Sequence, residues 1–293
     1  MRKQYSRIVM IFLFVAGISL QLSAQNKYRY EADLISIQND QVAITLYTPT
    51  VKVDTALLCF PKIIPGTYKI ADYGRFITAV KAFTKKGDTL PVTKLNANQW
   101  KIDQAKQLYK ITYAVDDIFD ASGGHGIYPM AATNIEAGNN IIINTPGFFG
   151  FLSGFARMPF EVTFYKPDSF YASTSLKPVK TEKTKDIFSV PHVDDLYDAP
   201  IMYSVPDTAN IKVANTEVLV SVISPNKKVT AREIAGWMDS LLQATGKYFG
   251  GKLPVDKYAF LYYFKDPAAR HSFGPGGGAL EHNTSSFYYL SES

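Results

Sequence analysis

From Tyr28 to about Asp207, no window of the sequence carries an apolar repeat at helical spacing for longer than two turns. A chain of this kind cannot be a helical bundle over that span, because a buried helix needs an apolar stripe every three to four residues. The segment holds short apolar runs separated by turn residues instead. Gln41–Tyr47 alternates, with Val42, Ile44 and Leu46 apolar, as a half-buried strand requires. Thr55–Phe60 is almost continuously apolar until Pro61 stops it, and further strands are predicted over Phe76–Phe83, Thr89–Leu95, Tyr109–Val115, Ile141–Asn144 and Phe160–Tyr165. Pro65-Gly66 fits the two central positions of a type II turn, where proline sets the first φ and glycine accepts the positive second one. Strands at such close spacing predict a mainly β domain, β-sandwich-like in its layering.

After about Asp207 the pattern changes. Glu217–Ile223 reads as a strand, and Pro225–Lys228 as a turn. Thr230 with Glu233 three residues on forms a capping box that starts a helix. Ile234, Trp237, Met238, Leu241, Leu242, Thr245 and Tyr248 then recur at three- and four-residue intervals, predicting one core-facing stripe, and Gly250-Gly251 ends it. Tyr258–Phe264 (YAFLYYF) is expected to be a strand buried on both faces, and Thr284–Leu290 a further strand. Strand, helix, strand, loop, strand describes an α/β unit that is opened and not completed. The expected organisation is residues 1–24 as a signal peptide, 25–212 as the β-rich domain and 213–293 as this incomplete unit.

Arg2, Lys3 and Arg7 precede the apolar run Ile8–Leu20, and Leu22-Ser23-Ala24 supplies a small residue at a cleavage position. The run is shorter than the ~20 residues a membrane-spanning helix needs. The chain is therefore expected to be secreted or periplasmic, without a stable membrane span. Removing three positive charges takes the formal net charge from +5 to +2. No dense Lys/Arg cluster remains, which argues against a nucleic-acid partner. Cys59 is the single cysteine and lies inside an apolar run, so no internal disulfide forms and a buried structural thiol is expected.

The polar loop Asp120–Gly126 contains His125, with no partner ligand at metal-site spacing, and His192 beside Asp194 and Asp195 reads as a charged loop. Asn144–Gly154 (NTPGFFGFLSG) is expected to pack under the domain or, less simply, to shape a pocket rim. Phe273–Ser286 (FGPGGGALEHNTSS) places three glycines, Gly276–Gly278, ahead of Glu281 and His282. Glycines bury no side chain and cost backbone entropy to order, so such a run is useful where backbone must approach something closely. The same composition also describes an ordinary surface loop. Asn283-Thr284-Ser285 reads as a glycosylation sequon.

Four segments in order resemble the glycyl-aminopeptidase family of zinc metallopeptidases: Pro61–Phe76 (PKIIPGTYKIADYGRF), Asp195–Ile201 (DLYDAPI), Phe249–Pro254 (FGGKLP) and Gly277–His282 (GGALEH). The resemblance implies an N-terminal β domain followed by the start of a thermolysin-like catalytic domain, with zinc as the full-length cofactor. It also implies a site in which Glu281 binds the free α-amine of a peptide, Gly277, Gly278 and Ala279 contact its backbone, and His282 stands beside them. The physics suits that role, since a carboxylate gains a charge-assisted bond from an ammonium and bare glycines leave a strand edge open to a peptide. The zinc motif, H-E-x-x-H, is absent: none of His125, His192, His271 and His282 has the required neighbours. The expected metal and catalytic residues of this chain are therefore none. The function expected is the N-terminal portion of a secreted zinc aminopeptidase-like protein, inactive by itself, its catalytic portion missing. The alternative is an exported, noncatalytic β-rich module that binds a peptide or a glycan.

Overall fold

The computed structural model describes residues 26–121, 126–268, 273 and 276–292. The signal-peptide assignment, His125 and His271 lie outside the described residues. The strands run in chain order as β1 (Tyr28–Gln38), β2 (Gln41–Tyr47), β3 (Thr55–Cys59), β4 (Ile77–Phe83), β5 (Thr89–Leu90), β6 (Val92–Asn96), β7 (Gln99–Asp103) and β8 (Lys110–Asp116). There follow β9 (Asn134–Glu136), β10 (Asn140–Ile143), β11 (Phe151–Leu152), β12 (Phe160–Tyr165), β13 (Tyr171–Ser173), β14 (Pro178–Glu182), β15 (Lys185–Val190) and β16 (Ile201–Ser204). The last five are β17 (Thr208–Val213), β18 (Thr216–Ile223), β19 (Lys257–Lys265), β20 (Gly278–Glu281) and β21 (Ser285–Ser291). Among the described residues three α-helices interrupt them: α1 (Thr145–Phe148), α2 (Val193–Tyr197) and α3 (Ala231–Tyr248).

An eight-stranded sheet, β14-β15-β12-β1-β2-β8-β4-β5, forms the first layer. It is antiparallel except where β1 meets β12, with Tyr28 opposite Phe160. Its inner residues alternate along each strand: Tyr28, Tyr30, Ala32 and Leu34 in β1, and Val42, Ile44 and Leu46 in β2. They pack against two four-stranded sheets, β11-β3-β7-β6 and β13-β16-β10-β9, in one continuous apolar core. The mainly β, two-layered character expected from the alternation is what is observed. Cys59 is buried in this region, and burial raises its thiol pKa.

The sheet containing β10 and β16 is buried on both faces. Ile141, Ile143, Ile201 and Tyr203 join the first core, whereas Ile142 and Met202 join a second. That second core is completed by a five-stranded sheet, β17-β18-β19-β21-β20, through Leu219, Leu261, Leu280, Phe287 and Tyr289. Here β18, β19 and β21 are parallel, as a crossover helix demands, and β20 returns antiparallel at the edge.

Helix α3 covers the other face of that sheet only in part. The capping box forms as expected, with the Thr230 hydroxyl accepting from the Glu233 N–H and the Glu233 carboxylate accepting from the Thr230 N–H. The helix face differs from the predicted stripe. Ala231, Ile234 and Ala235 are buried against Val218, Val220 and Val222, while Trp237, Leu241 and Tyr248 are exposed. The helix lies mainly over β17 and β18 and touches β19 only at its margin, where the Tyr262 hydroxyl donates to Met238 Sδ at 3.6 Å. Tyr258–Phe264 is therefore buried unevenly on its two faces: Ala259, Leu261 and Tyr263 enter the second core, while on the helix side Phe264 is buried and Tyr258, Phe260 and Tyr262 are half-buried. Tyr262 stacks on Tyr288 of β21 at 4.5 Å, extending an aromatic row toward the sheet edge.

Candidate functional site

The expected site residues lie on β20 and the turn after it. Leu280 points inward opposite Phe287, so by strand alternation Ala279 and Glu281 share the helix-side face with Tyr288 and Ser286. Glu281 is exposed and enters no ion pair among the described residues. Its neighbour across the face is Tyr258, whose hydroxyl shares a 2.6 Å hydrogen bond with Ser286 Oγ. Burial raises the Tyr258 pKa, and the negative charges of Glu281 and Asp198 add to the rise. A carboxylate thus stands at the open edge of a half-covered aromatic floor.

The three glycines are not equivalent. A Cβ on Gly278 would stand 2.1 Å from the Met130 methyl, and one on Gly277 would stand 2.8 Å from the Tyr289 carbonyl oxygen; on Gly276 it would meet nothing. Gly277 therefore has an internal reason to be glycine, independent of any ligand, because the backbone it meets cannot yield, whereas the Met130 methyl is the end of a flexible side chain. Gly278→Ala is expected to turn Met130 aside and lower stability by about 1 kcal/mol, the low end of the usual overpacking cost. Adding Met130→Ala should recover part of that loss, although Ala in place of Met opens space of its own; urea denaturation of the two variants measures both effects. No recovery in the double variant would assign the glycine another cause.

Three of the four resembling segments meet at this strand. Gly66, at φ +82° in the turn predicted from Pro65-Gly66, packs against Leu280, and a Cβ there would lie 2.8 Å from Leu280 Cδ1. Beyond that turn Tyr68 is 94% exposed. From the DLYDAPI segment, Asp198 accepts the Asn283 N–H at 3.0 and 3.2 Å, and His282 Nδ1 lies 3.4 Å from Asp198 Oδ1. The His282 side chain is only 8% exposed, and its Nε2 is buried with no hydrogen-bond partner among the described residues. Its ring is turned toward Asp198. The fourth segment lies apart: Leu253 is held by Asn215 at the far end of α3.

Sequence reasoning missed Asp198 as part of this arrangement, because its link to Asn283 spans 85 residues and only the tertiary fold reveals it. His192 Nδ1 lies 2.9 Å from Asp195 Oδ2 at the start of α2, a local contact within one turn. Among the described residues no group of three or more His, Cys, Asp and Glu side chains is placed to hold a metal, so the residues present do not fit the zinc centre that the resemblance implies. A separate cavity of about 760 Å³ opens between β9–β10, the start of α3 and the end of β19, lined in part by Phe119, Asn134, Glu136, Asn140 and Tyr263. No helix among the described residues is long and apolar enough to cross a membrane.

An aminopeptidase N family protein from Idiomarina loihiensis has a similar structure, with a TM-score of 0.77 at 18% identity over 90% of this chain and 42% of that one. A point mutant of an M1 zinc metallopeptidase from Deinococcus radiodurans matches 90% of this chain and 60% of its own at 13% identity, TM-score 0.48. The same mutant bound to a Tyr-Ser-Ala substrate gives 14% identity, coverage of 89% and 59%, and a TM-score of 0.45. This chain therefore spans less than two thirds of the length of each. No curated protein matches the sequence significantly. Residues 29–205 match the family described as the Peptidase M61 N-terminal domain, so the chain belongs to that family and its β-rich part is a peptidase-related N-terminal domain.

Proposed function

We propose that this chain is the amine-recognising, N-terminal portion of an exported zinc aminopeptidase-like protein. Residues 25–212 are the N-terminal domain, and 213–293 begin the catalytic one. The observation that carries the reading is Glu281, an exposed carboxylate on the edge strand β20, beside a helix-side aromatic face that α3 leaves half covered. The match of residues 29–205 to the Peptidase M61 N-terminal domain supports peptide recognition as the relevant chemistry. In this reading Glu281 accepts the substrate ammonium, the backbone of Gly277–Ala279 lines the peptide and His282 steadies the turn behind them. Zinc, as in the M1 metallopeptidases, would belong to the catalytic portion; this chain's residues do not supply its ligands and no hydrolytic step is assigned to them. The charged start and the apolar run Ile8–Leu20 support export from the cytoplasm in this reading.

The test is equilibrium binding of short peptides with glycine or alanine at a free N-terminus, against the same peptides acetylated. A clear preference for the free amine is expected, without turnover. Equal affinity for the two would reject amine recognition.

A second reading, a noncatalytic peptide- or glycan-binding module, is favoured by the 760 Å³ cavity, whose mixture of aromatic and amide groups can hold a polar ligand. Zinc-dependent release of glycine from short peptides by the isolated protein would rule out any binding-only account.

A further inference from the structure

We propose that Asp198, a residue of the N-terminal β-rich part, is the positioning residue for Glu281. This deepens the amine-recognition reading and rests on it. Glu281 ends an edge strand of only four residues, and such a strand, paired on one side only, has little of its own to fix its last side chain. The turn that follows is held from outside the sheet. Both Asp198 oxygens accept the Asn283 N–H, at 3.0 and 3.2 Å, and Asp198 Oδ1 also faces His282 Nδ1 at 3.4 Å. Thr284 Oγ1 meets Ser175 Oγ at 2.9 Å on the same side, and His282 N–H closes the turn on Ser285 O at 2.8 Å. The residues immediately after Glu281 are therefore bound to a different part of the chain.

Asp198 is itself held by its helix. It caps α2, donating its N–H to Asp194 O at 3.1 Å. That helix is fastened to the first core: Leu196 is fully buried, its carbonyl accepts from Thr145 Oγ1 at 2.6 Å, and the Tyr197 hydroxyl donates to Phe149 O at 2.6 Å. A rigid path thus leads from the core of the β domain through α2 and Asp198 to the turn, and one residue further to the carboxylate. Binding groups must be held to within about half an ångström to be effective, and supporting hydrogen bonds do this. The placement of the amine acceptor is then a property of the N-terminal domain as much as of the sheet on which Glu281 lies.

Three proteins, wild type, Asp198→Ala and Asp198→Asn, are compared for affinity toward a free and an acetylated glycyl peptide. Hydrogen exchange at the Asn283 amide is followed in parallel. Asp198→Ala is expected to bind the free-amine peptide about tenfold more weakly, with the acetylated peptide unchanged and the Asn283 amide exchanging faster. Asp198→Asn keeps a carbonyl acceptor and should restore most of the discrimination. Undiminished preference for the free amine in Asp198→Ala would overturn the proposal, as would equal loss for both peptides, which marks a structural role only. Wild-type protein that fails to tell the two peptides apart would instead remove the amine-recognition reading, and the positioning role with it.

Discussion

Replacing Glu281 by glutamine is expected to weaken binding of peptides with a free N-terminus by about ten- to a hundredfold while leaving acetylated peptides unaffected. The substitution keeps the size and one acceptor oxygen but removes the charge. A hydrogen bond to a charged group contributes about 1.5–3 kcal/mol, and each 1.4 kcal/mol is a factor of ten in affinity. Because Glu281 is exposed, solvent and salt screen part of this, so the lower end should apply at physiological ionic strength and the upper end in dilute buffer. The fold itself should hardly notice, since exposed positions without structural partners usually change stability by less than about 0.5 kcal/mol. Isothermal titration of both peptides at two salt concentrations measures the effect. A variant that loses both peptides equally, or neither, would deny Glu281 the ammonium.

The local elements were legible in the sequence because their causes are local. Alternation along Gln41–Tyr47 gives β2 with the same limits, Pro65-Gly66 gives a turn with Gly66 at φ +82°, and Thr230 with Glu233 caps α3. Non-local pairing was not legible. Nothing in the alternation of β1 reveals that it joins β12 in parallel. Ile141–Asn144 reads as a short apolar strand, but the complete burial of β10 follows from lying between two separate cores. The helix face and the aromatic strand failed for one shared reason. An apolar stripe shows what a segment is able to bury, and α3 lies mainly over β17 and β18 and meets β19 only at its margin, so Trp237 and Leu241 stay exposed and Tyr258, Phe260, Tyr262 and Tyr288 stay partly open. At the site, the residue types were visible in GGALEH, but the anchoring of its turn by Asp198 and the packing of Gly278 on Met130 are facts of tertiary contact.

Phe149→Ala is expected to destabilise the protein by about 3–5 kcal/mol, the usual cost of deleting a buried aromatic ring. The glycine-punctuated segment Asn144–Gly154 could have shaped a pocket rim; it packs in the first core instead, with Phe148 and Phe149 fully buried. Phe149 meets Tyr30 edge-on at 5.0 Å and Phe164 at 6.0 Å, so its loss empties the junction between layers. A buried loop must also satisfy its backbone, and tyrosines perform that task here. Tyr113 donates to Phe148 O at 2.6 Å, Tyr197 to Phe149 O at 2.6 Å and Tyr30 to Gly150 O, while Tyr28 Oη accepts the Leu152 N–H at 2.9 Å. Leaving one such carbonyl bare costs about 1–3 kcal/mol. Tyr113→Phe should therefore destabilise by that smaller amount, since it removes a hydrogen bond and no volume. The Tyr197 hydroxyl bonds the main-chain carbonyl of Phe149, which alanine retains; the emptied core should shift that carbonyl, loosen α2 and, through Asp198, speed exchange at Asn283, while Tyr113→Phe leaves that amide protected. Chemical denaturation ranks the two variants and amide exchange separates them. Equal exchange at Asn283 in both would break the path from the core to the turn.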